Sequence, residues 1–426
     1  MKIKIDIVKI FKKNTAIIIP TAIAVVALLL FVPTIMMRGK INVRLQESVK
    51  LGREVDSALK TTVSGKQCEV AKKYQDMHQA DANEIDILAQ QTSQRELLSY
   101  KIFPEPNETS VQIFNEFKKT YIAAFAKLMK DMNALDAPTD NEIRKQAGAI
   151  NIASGSGYEQ DNSRAEKGDE RIVELICQRR SDEIPVYANP KVFSGYGFWD
   201  KWEYSGTEDA LRGCWYCQLA YWIHQDIVDT INSMNSGSTS VANSSVKRLL
   251  EMRFTGENNK DNAFELPAYV TNTGGDIIQP WTTRKCNDKI DVIHFSLTVI
   301  VKADDVLKFM AELCSEKEHY FAGYKGNQEP KKYKHNQITI LRSDIEPINR
   351  NSPEQKRYYY GQKAVVLLNL ICEYVFERQG YDAIKPKVVQ GNMGASSGIG
   401  AAVQQQSQQQ QQAPPPSGQG KMGIGE

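Results

Sequence analysis

The stretch RGCWYCQLAYWIHQDIVDTIN, residues 212–232, holds the residues best spaced for chemistry: Cys214 and Cys217, with His224 further along. A Cys-x-x-Cys pair does thiol–disulfide chemistry when a strand precedes it, the first cysteine opens a helix and its thiolate is stabilised. Here EDALRG precedes the pair and reads as helix, with Arg212 as a local cation that favours a thiolate. A disulfide within one continuous helix fits the bond geometry poorly. A zinc site needs ligands that all lie roughly 2.0–2.3 Å from one ion. Cys214, Cys217, Tyr221 and His224 share a helical stripe, but Cys214 and His224 stand about 15 Å apart along the axis. No metal or cofactor is therefore expected. The reading that remains is a packed helix built from Cys214, Cys217, Leu219, Tyr221, Trp222, Ile223, Ile227, Val228 and Ile231, since cysteine buries as a small hydrophobe. Cys214 and Cys217 stay as redox candidates for an alternative function, a membrane-tethered thiol–disulfide protein.

Other candidates are weaker. The stretch IPVYANPKVFSGYGFWDKWEYSG reads as a long loop carrying Tyr187, Phe193, Tyr196, Phe198, Trp199, Trp202 and Tyr204. Loop aromatics cap a core edge, anchor a partner or stack on sugars, so an envelope glycan-binding protein is a further alternative. His319 and His335 could meet across a hairpin, but read as a solvated surface pair. No P-loop, His-Glu metal motif or nucleophile context is present, so an enzyme is not expected. Lys+Arg number 53 and Asp+Glu 51. With no basic arm or stripe, nucleic acid is not an expected partner, and neither is a small-molecule substrate. Seven cysteines in 426 residues are too few for a disulfide scaffold.

The elements that would position these residues begin with MKIKIDIVKIFKKN, a basic tail over 1–15, read as cytoplasmic. AIIIPTAIAVVALLLFVPTIMM, residues 16–37, runs about 20 residues without a charge, the length that spans a hydrocarbon core. It is expected to be a single transmembrane helix, in place of a signal peptide, because FVPTIMMRGK is a poor cleavage site. Residues 38–100 then read as a helical stalk or weak coiled coil. Leu45, Val49, Leu59 and Val63 fall on alternating four- and three-residue steps once the poor seam residues Gly52 and Asp56 are allowed in between, and after a phase reset at SGK the run continues through Val70, Met77 and Leu88 with Asp81 interrupting. These seven are the candidate partner interface.

Residues 101–206 read as a helical and loop region. It includes an amphipathic helix lined by Phe114, Phe117, Tyr121, Phe125, Leu128 and Met132, with Ser110 as its cap, and a short helix over 166–180. Residues 207–390 read as helix, strand, strand, helix, strand, strand. SVKRLLEMRF places Val246, Arg248, Leu250, Met252 and Phe254 on one side, and IDVIHFSLTVIV places Ile293, Phe295, Leu297, Val299 and Val301 on one side. ADDVLKFMAELCSEK is a helix buried through Val306, Leu307, Met310 and Leu313. KAVVLLNLICEYVFER fits a buried strand, with a helix as its rival. Residues 391–426, rich in Gln, Pro and Gly, are expected to be disordered. The fold class is α+β: a transmembrane helix, a stalk, then a tandem αββ, split ferredoxin-like domain with an antiparallel sheet.

That order, with VIHFSLTVIVKADDVLKFMAELCSE as the most similar local stretch, resembles the bitopic inner-membrane assembly proteins of type IV pili and type II secretion systems, the PilO, PilN and GspM group. The resemblance implies a non-catalytic scaffold in the bacterial inner membrane with most of the chain periplasmic. Its partners would be a second copy of itself or related bitopic proteins. The region from Tyr100 to Arg180, the aromatic loop and the Gln/Pro tail have no counterpart in that family.

Overall fold

The structure, a computed structural model, describes residues 15–61, 65–153, 162–254, 266–272 and 276–390. The basic tail before residue 15, the interface candidate Val63 and the tail 391–426 lie outside the described residues. The chain divides into two compact units, Met1–Asn83 and Glu84–Glu426.

The first unit is helical. It holds α1 (Thr15–Thr61) and most of α2 (Gly65–Thr92). Leu45, Val49, Leu59, Val70 and Met77 are all exposed, and no residue of α2 is buried. The expected membrane span is corrected here. Among the described residues, no helix is long and apolar enough to cross a membrane. Single-pass anchoring in the inner membrane, and the periplasmic placement built on it, are not supported.

The stalk was expected to run to residue 100. The helix ends instead at Thr92, and residues 94–97 carry no regular secondary structure. In the second unit α3 (Val111–Asp131) buries Phe114, Phe117, Tyr121, Phe125 and Leu128. Ser110 stands at its N-cap but makes no side-chain capping bond. After Asp136, within the region read as helix and loop, lies α4 (Asp140–Ala153). Its start is a capping box: Thr139 N–H donates to Glu142 Oε2 at 2.8 Å, and Glu142 N–H donates back to Thr139 Oγ1 at 3.3 Å. α5 spans Asn162–Glu183 and α6 spans Thr207–Met234.

Four strands form one antiparallel sheet in the order β1-β2-β6-β5: β1 (Val246–Arg253), β2 (Ile290–Lys302), β5 (Ile338–Pro347) and β6 (Val365–Glu377). The molecule is thus mixed helix and sheet. The central β2–β6 ladder is unbroken from Ile290 opposite Glu377 to Lys302 opposite Val365. Ile293, Phe295, Leu297, Val299 and Val301 of β2 join Tyr374 and Phe376 of β6 in the main core, with α6 and the short α7 (Val306–Leu313). KAVVLLNLICEYVFER is therefore strand. Its β-branched and apolar residues pair on both sides, as a central strand requires.

Three local expectations change. In β1 two bulges break the alternation, so Leu249 is buried while Arg248 and Leu250 are not. In α7 the buried residues are Val306, Phe309 and Leu313, and Leu307 is exposed. Between α7 and β5 the chain adds a separate hairpin, β3 (Lys317–Phe321) paired with β4 (Lys331–His335).

Candidate functional site

The chain that leaves α2 enters the second unit as a clasped segment. Ser93 Oγ accepts the Glu377 backbone N–H at 2.8 Å and the Gln337 side-chain amide at 3.1 Å. Trp222 Nε1 donates to the Glu96 carbonyl at 2.8 Å, and Leu98 N–H donates to Gln218 Oε1 at 2.8 Å. Gln90 Nε2, in the last turns of α2, donates to Gln379 Oε1 at 2.7 Å. A Cβ on Gly380 would overlap the Gln90 carbonyl oxygen, so only glycine admits this approach.

At the centre of the clasp is Arg95, 2% exposed. Its guanidinium forks onto Asp226 of α6, with Nη2 to Oδ1 at 2.5 Å and Nη1 to Oδ2 at 3.2 Å. Nη1 also donates to the Tyr374 hydroxyl at 2.6 Å, and that hydroxyl donates to Asp226 Oδ2 at 2.6 Å. His335 Nε2 lies 2.9 Å from the same Oδ2. His335 Nδ1 faces His319 Nδ1 at 2.9 Å, and His319 Nε2 faces the Gln94 carbonyl at 2.9 Å. One continuous polar chain thus joins α6, β6, the β3–β4 hairpin and the segment 93–96.

Burial alone would raise the Asp226 carboxyl, but Arg95 and His335 hold it well below the usual carboxylate range. Its two oxygens accept from Arg95, Tyr374 and His335 together, which offsets the desolvation of the charge. The imidazoles feel opposing effects. Burial and the Arg95 charge push His319 down to about 3. Burial also lowers His335, against the pull of Asp226. Hydrogen-bond counting runs the other way. The contacts His335–Asp226, His335–His319 and His319–Gln94 need three protons, and two neutral imidazoles bring two. Desolvation is the largest single effect on each ring, so the net direction is down and the pair is neutral at pH 7. The Nδ1–Nδ1 contact then lacks a shared proton.

The clasp is built to hold. The hydrogen-bond partners of the two imidazoles, among the described residues, are Asp226, each other and the Gln94 carbonyl. No nucleophile meets them there. Among the described residues no group of three or more His, Cys, Asp or Glu is placed to hold a metal ion.

The residues singled out from sequence fall elsewhere. Cys214 and Cys217 are fully buried on α6, and all seven cysteines are free. Burial pushes both thiols up, away from the reactive thiolate. Phe193, Phe198 and Trp199 of the aromatic loop are buried against α3 and α6, with Trp199 1% exposed and Trp202 packed on it at 5.0 Å. His319 and His335 meet across their hairpin as the spacing allowed, but as a buried pair. Leu88, in the second unit, is exposed like the other described interface candidates. Sequence reasoning passed over Arg95 and Asp226. The signal was present in Asp226, a carboxylate on the apolar stretch YWIHQDIVDTI, because such a group needs a partner.

No family model matches the chain, and no curated protein matches it. A crystal structure from Akkermansia muciniphila is similar over 56% of this chain and 97% of its own, at 10% identity and a TM-score of 0.23. At that TM-score the likeness carries neither fold nor function across. None of these findings links the chain to the pilus and secretion assembly proteins.

Proposed function

We propose that this protein is a non-catalytic scaffold that associates with a second copy of itself through the helices of its first unit. The observation that carries this reading is the apolar stripe left in solvent. Leu45 is 57% exposed and Leu59 68%, two heptads apart on α1, and Met77 on α2 is 53% exposed. No residue of α2 is buried, and most helical stability in proteins comes from packing an apolar face. A partner helix supplies that face. The heptad spacing fits another copy of the same stripe. The buried clasp around Arg95 supports the same role, since it fixes the last turns of α2 to the sheet domain.

The test is the mass of the full chain in solution, by sedimentation at micromolar concentration. A dimer or higher oligomer that dissociates on the double substitution Leu45→Asp, Leu59→Asp supports the reading. A wild-type monomer at tens of micromolar overturns it.

A further inference from the structure

Away from the Arg95 clasp, the second unit buries a lone amine against a lone carboxyl. Asp291 is the second residue of β2, and Lys385 lies in the closing segment just before α8 (Lys387–Gln390). Both side chains are fully buried, with Lys385 Nζ 2.6 Å from Asp291 Oδ2. Aromatic groups wall the pair. Nζ lies 4.4 Å from the centre of the Tyr269 ring and 5.8 Å from that of Tyr381. Trp215 stacks on Tyr381 at 5.6 Å and donates from Nε1 to the Tyr269 hydroxyl at 2.9 Å.

The two carboxyl oxygens are not alike. Oδ2 accepts from Lys385 and from the Tyr381 hydroxyl, whereas Oδ1 is buried with no hydrogen-bond partner among the described residues. A carboxylate spreads its charge over both oxygens, so a buried oxygen left without a donor carries an uncompensated desolvation cost. An amide removes that charge. Its single oxygen takes the place of Oδ1, and the atom that draws both donors is the one that departs. Holding an amine against a carboxyl in a dry site also supplies the proximity that condensation lacks in water.

We infer that Lys385 and Asp291 condense to a side-chain amide, a covalent cross-link between the first residues of β2 and the end of the domain. The step balances without an oxidant. A proton passes from the Lys385 ammonium to Asp291 Oδ2 along their hydrogen bond, giving amine and carboxylic acid. The amine lone pair attacks Cγ, the Nζ–Cγ bond forms, and the Cγ–Oδ2 bond breaks. Oδ2 leaves as water, carrying its own proton and one from the amine. Tyr381 donates a hydrogen bond to Oδ2 and is a positioning residue for the departing oxygen. The surrounding aromatic wall keeps water from reversing the reaction.

The experiment is intact mass measurement of the purified full chain after denaturation, followed by tandem fragmentation of its tryptic digest. The expected result is a chain lighter by one water, with a branched peptide joining Asp291 to Lys385. The variant Lys385→Met should carry its full sequence mass. Wild-type protein at its full sequence mass overturns the proposal, and so does a water loss that persists in K385M. If K385M fails to fold, the wild-type digest still decides: separate, unbranched peptides carrying Asp291 and Lys385 overturn it.

Discussion

His319 and His335 present their Nδ1 atoms to each other at 2.9 Å, inside the domain, with Asp226 beyond one ring and the Gln94 carbonyl beyond the other. The pair sits where the chain from α2 is clasped, so its protonation acts on that clasp. Arg95 and Lys317 add positive charge around it, and Asp226 adds negative charge.

Stability should therefore fall as the pH drops from 7 to 5. His319 is held down to about 3 in the folded chain, mainly by burial, and His224 to about 3 by burial alone against its bond to the Ser194 carbonyl. In the unfolded chain each titrates near 6.5. Between about 6.5 and 3 the unfolded state binds more protons, so acid favours it, by up to about 1.4 kcal/mol per pH unit for each group. Asp226 adds the same sign lower down, because its folded value is depressed and its contribution is lost below the ordinary carboxylate range near 3.9. Asp229 opposes with a carboxyl raised to about 6, attributed to burial and Asp226, but its side chain reaches solvent and the opposing effect is correspondingly small. Urea unfolding at pH 7 and pH 5 measures the difference. His319→Gln should flatten the acid slope, and an unchanged slope would refute the assignment.

Removing one side of the buried pair should be severe. Arg95→Ala leaves Asp226 charged and unpaired at the core, a change that costs about 3–5 kcal/mol. Arg95→Met with Asp226→Leu removes both charges and keeps volume, and should recover part of that loss. A double-mutant cycle in urea checks both statements. Additive effects of the single substitutions would show that the two side chains do not interact.

Much of the sheet was legible in the sequence, and the reasons it was legible are local. β2 alternates from Ile293 to Val299, so that part of its core face could be read directly. β6 is apolar because it is central, and length and β-branching separated strand from helix only weakly. β1 misled because its bulges shift Leu249 into the core, and a bulge leaves no mark in periodicity. The spacing of His319 and His335 allowed a hairpin, but KEHYF and KKYKH are charged and short, so the pair read as solvated and not as buried. The clasp was illegible for another reason. Arg95 and Asp226 are 131 positions apart, and each alone resembles a solvated charge. The apolar run at 16–37 had the composition of a span, but the described helix does not provide one.

Glycine at position 380 should be irreplaceable. Its backbone touches the Gln90 carbonyl, and an added Cβ would also crowd Ser93 Cβ. The crowding atom is backbone, not a flexible side-chain end, so relief requires moving the end of α2. Gly380→Ala should destabilise the domain by about 1–3 kcal/mol, the range for overpacking. Loss within error of zero in urea unfolding would mean that the approach of α2 to this turn is looser than described.

Cys214 and Cys217 should be silent in the folded chain and reactive once it is unfolded. Both lie on α6 at 0% exposure, and desolvation raises each thiol. The thiolate is the reactive species, so modification requires opening of the core. Cys68 is exposed and should react at once, which supplies an internal standard. Thiol labelling with and without denaturant, mapped by mass spectrometry, separates the sites. Slow native labelling of 214 and 217, at a rate that follows global unfolding in urea, is the expected outcome. Labelling as fast as that of Cys68 would place the pair at an accessible surface and bring the thiol–disulfide reading forward, because only an exposed pair can meet a redox partner.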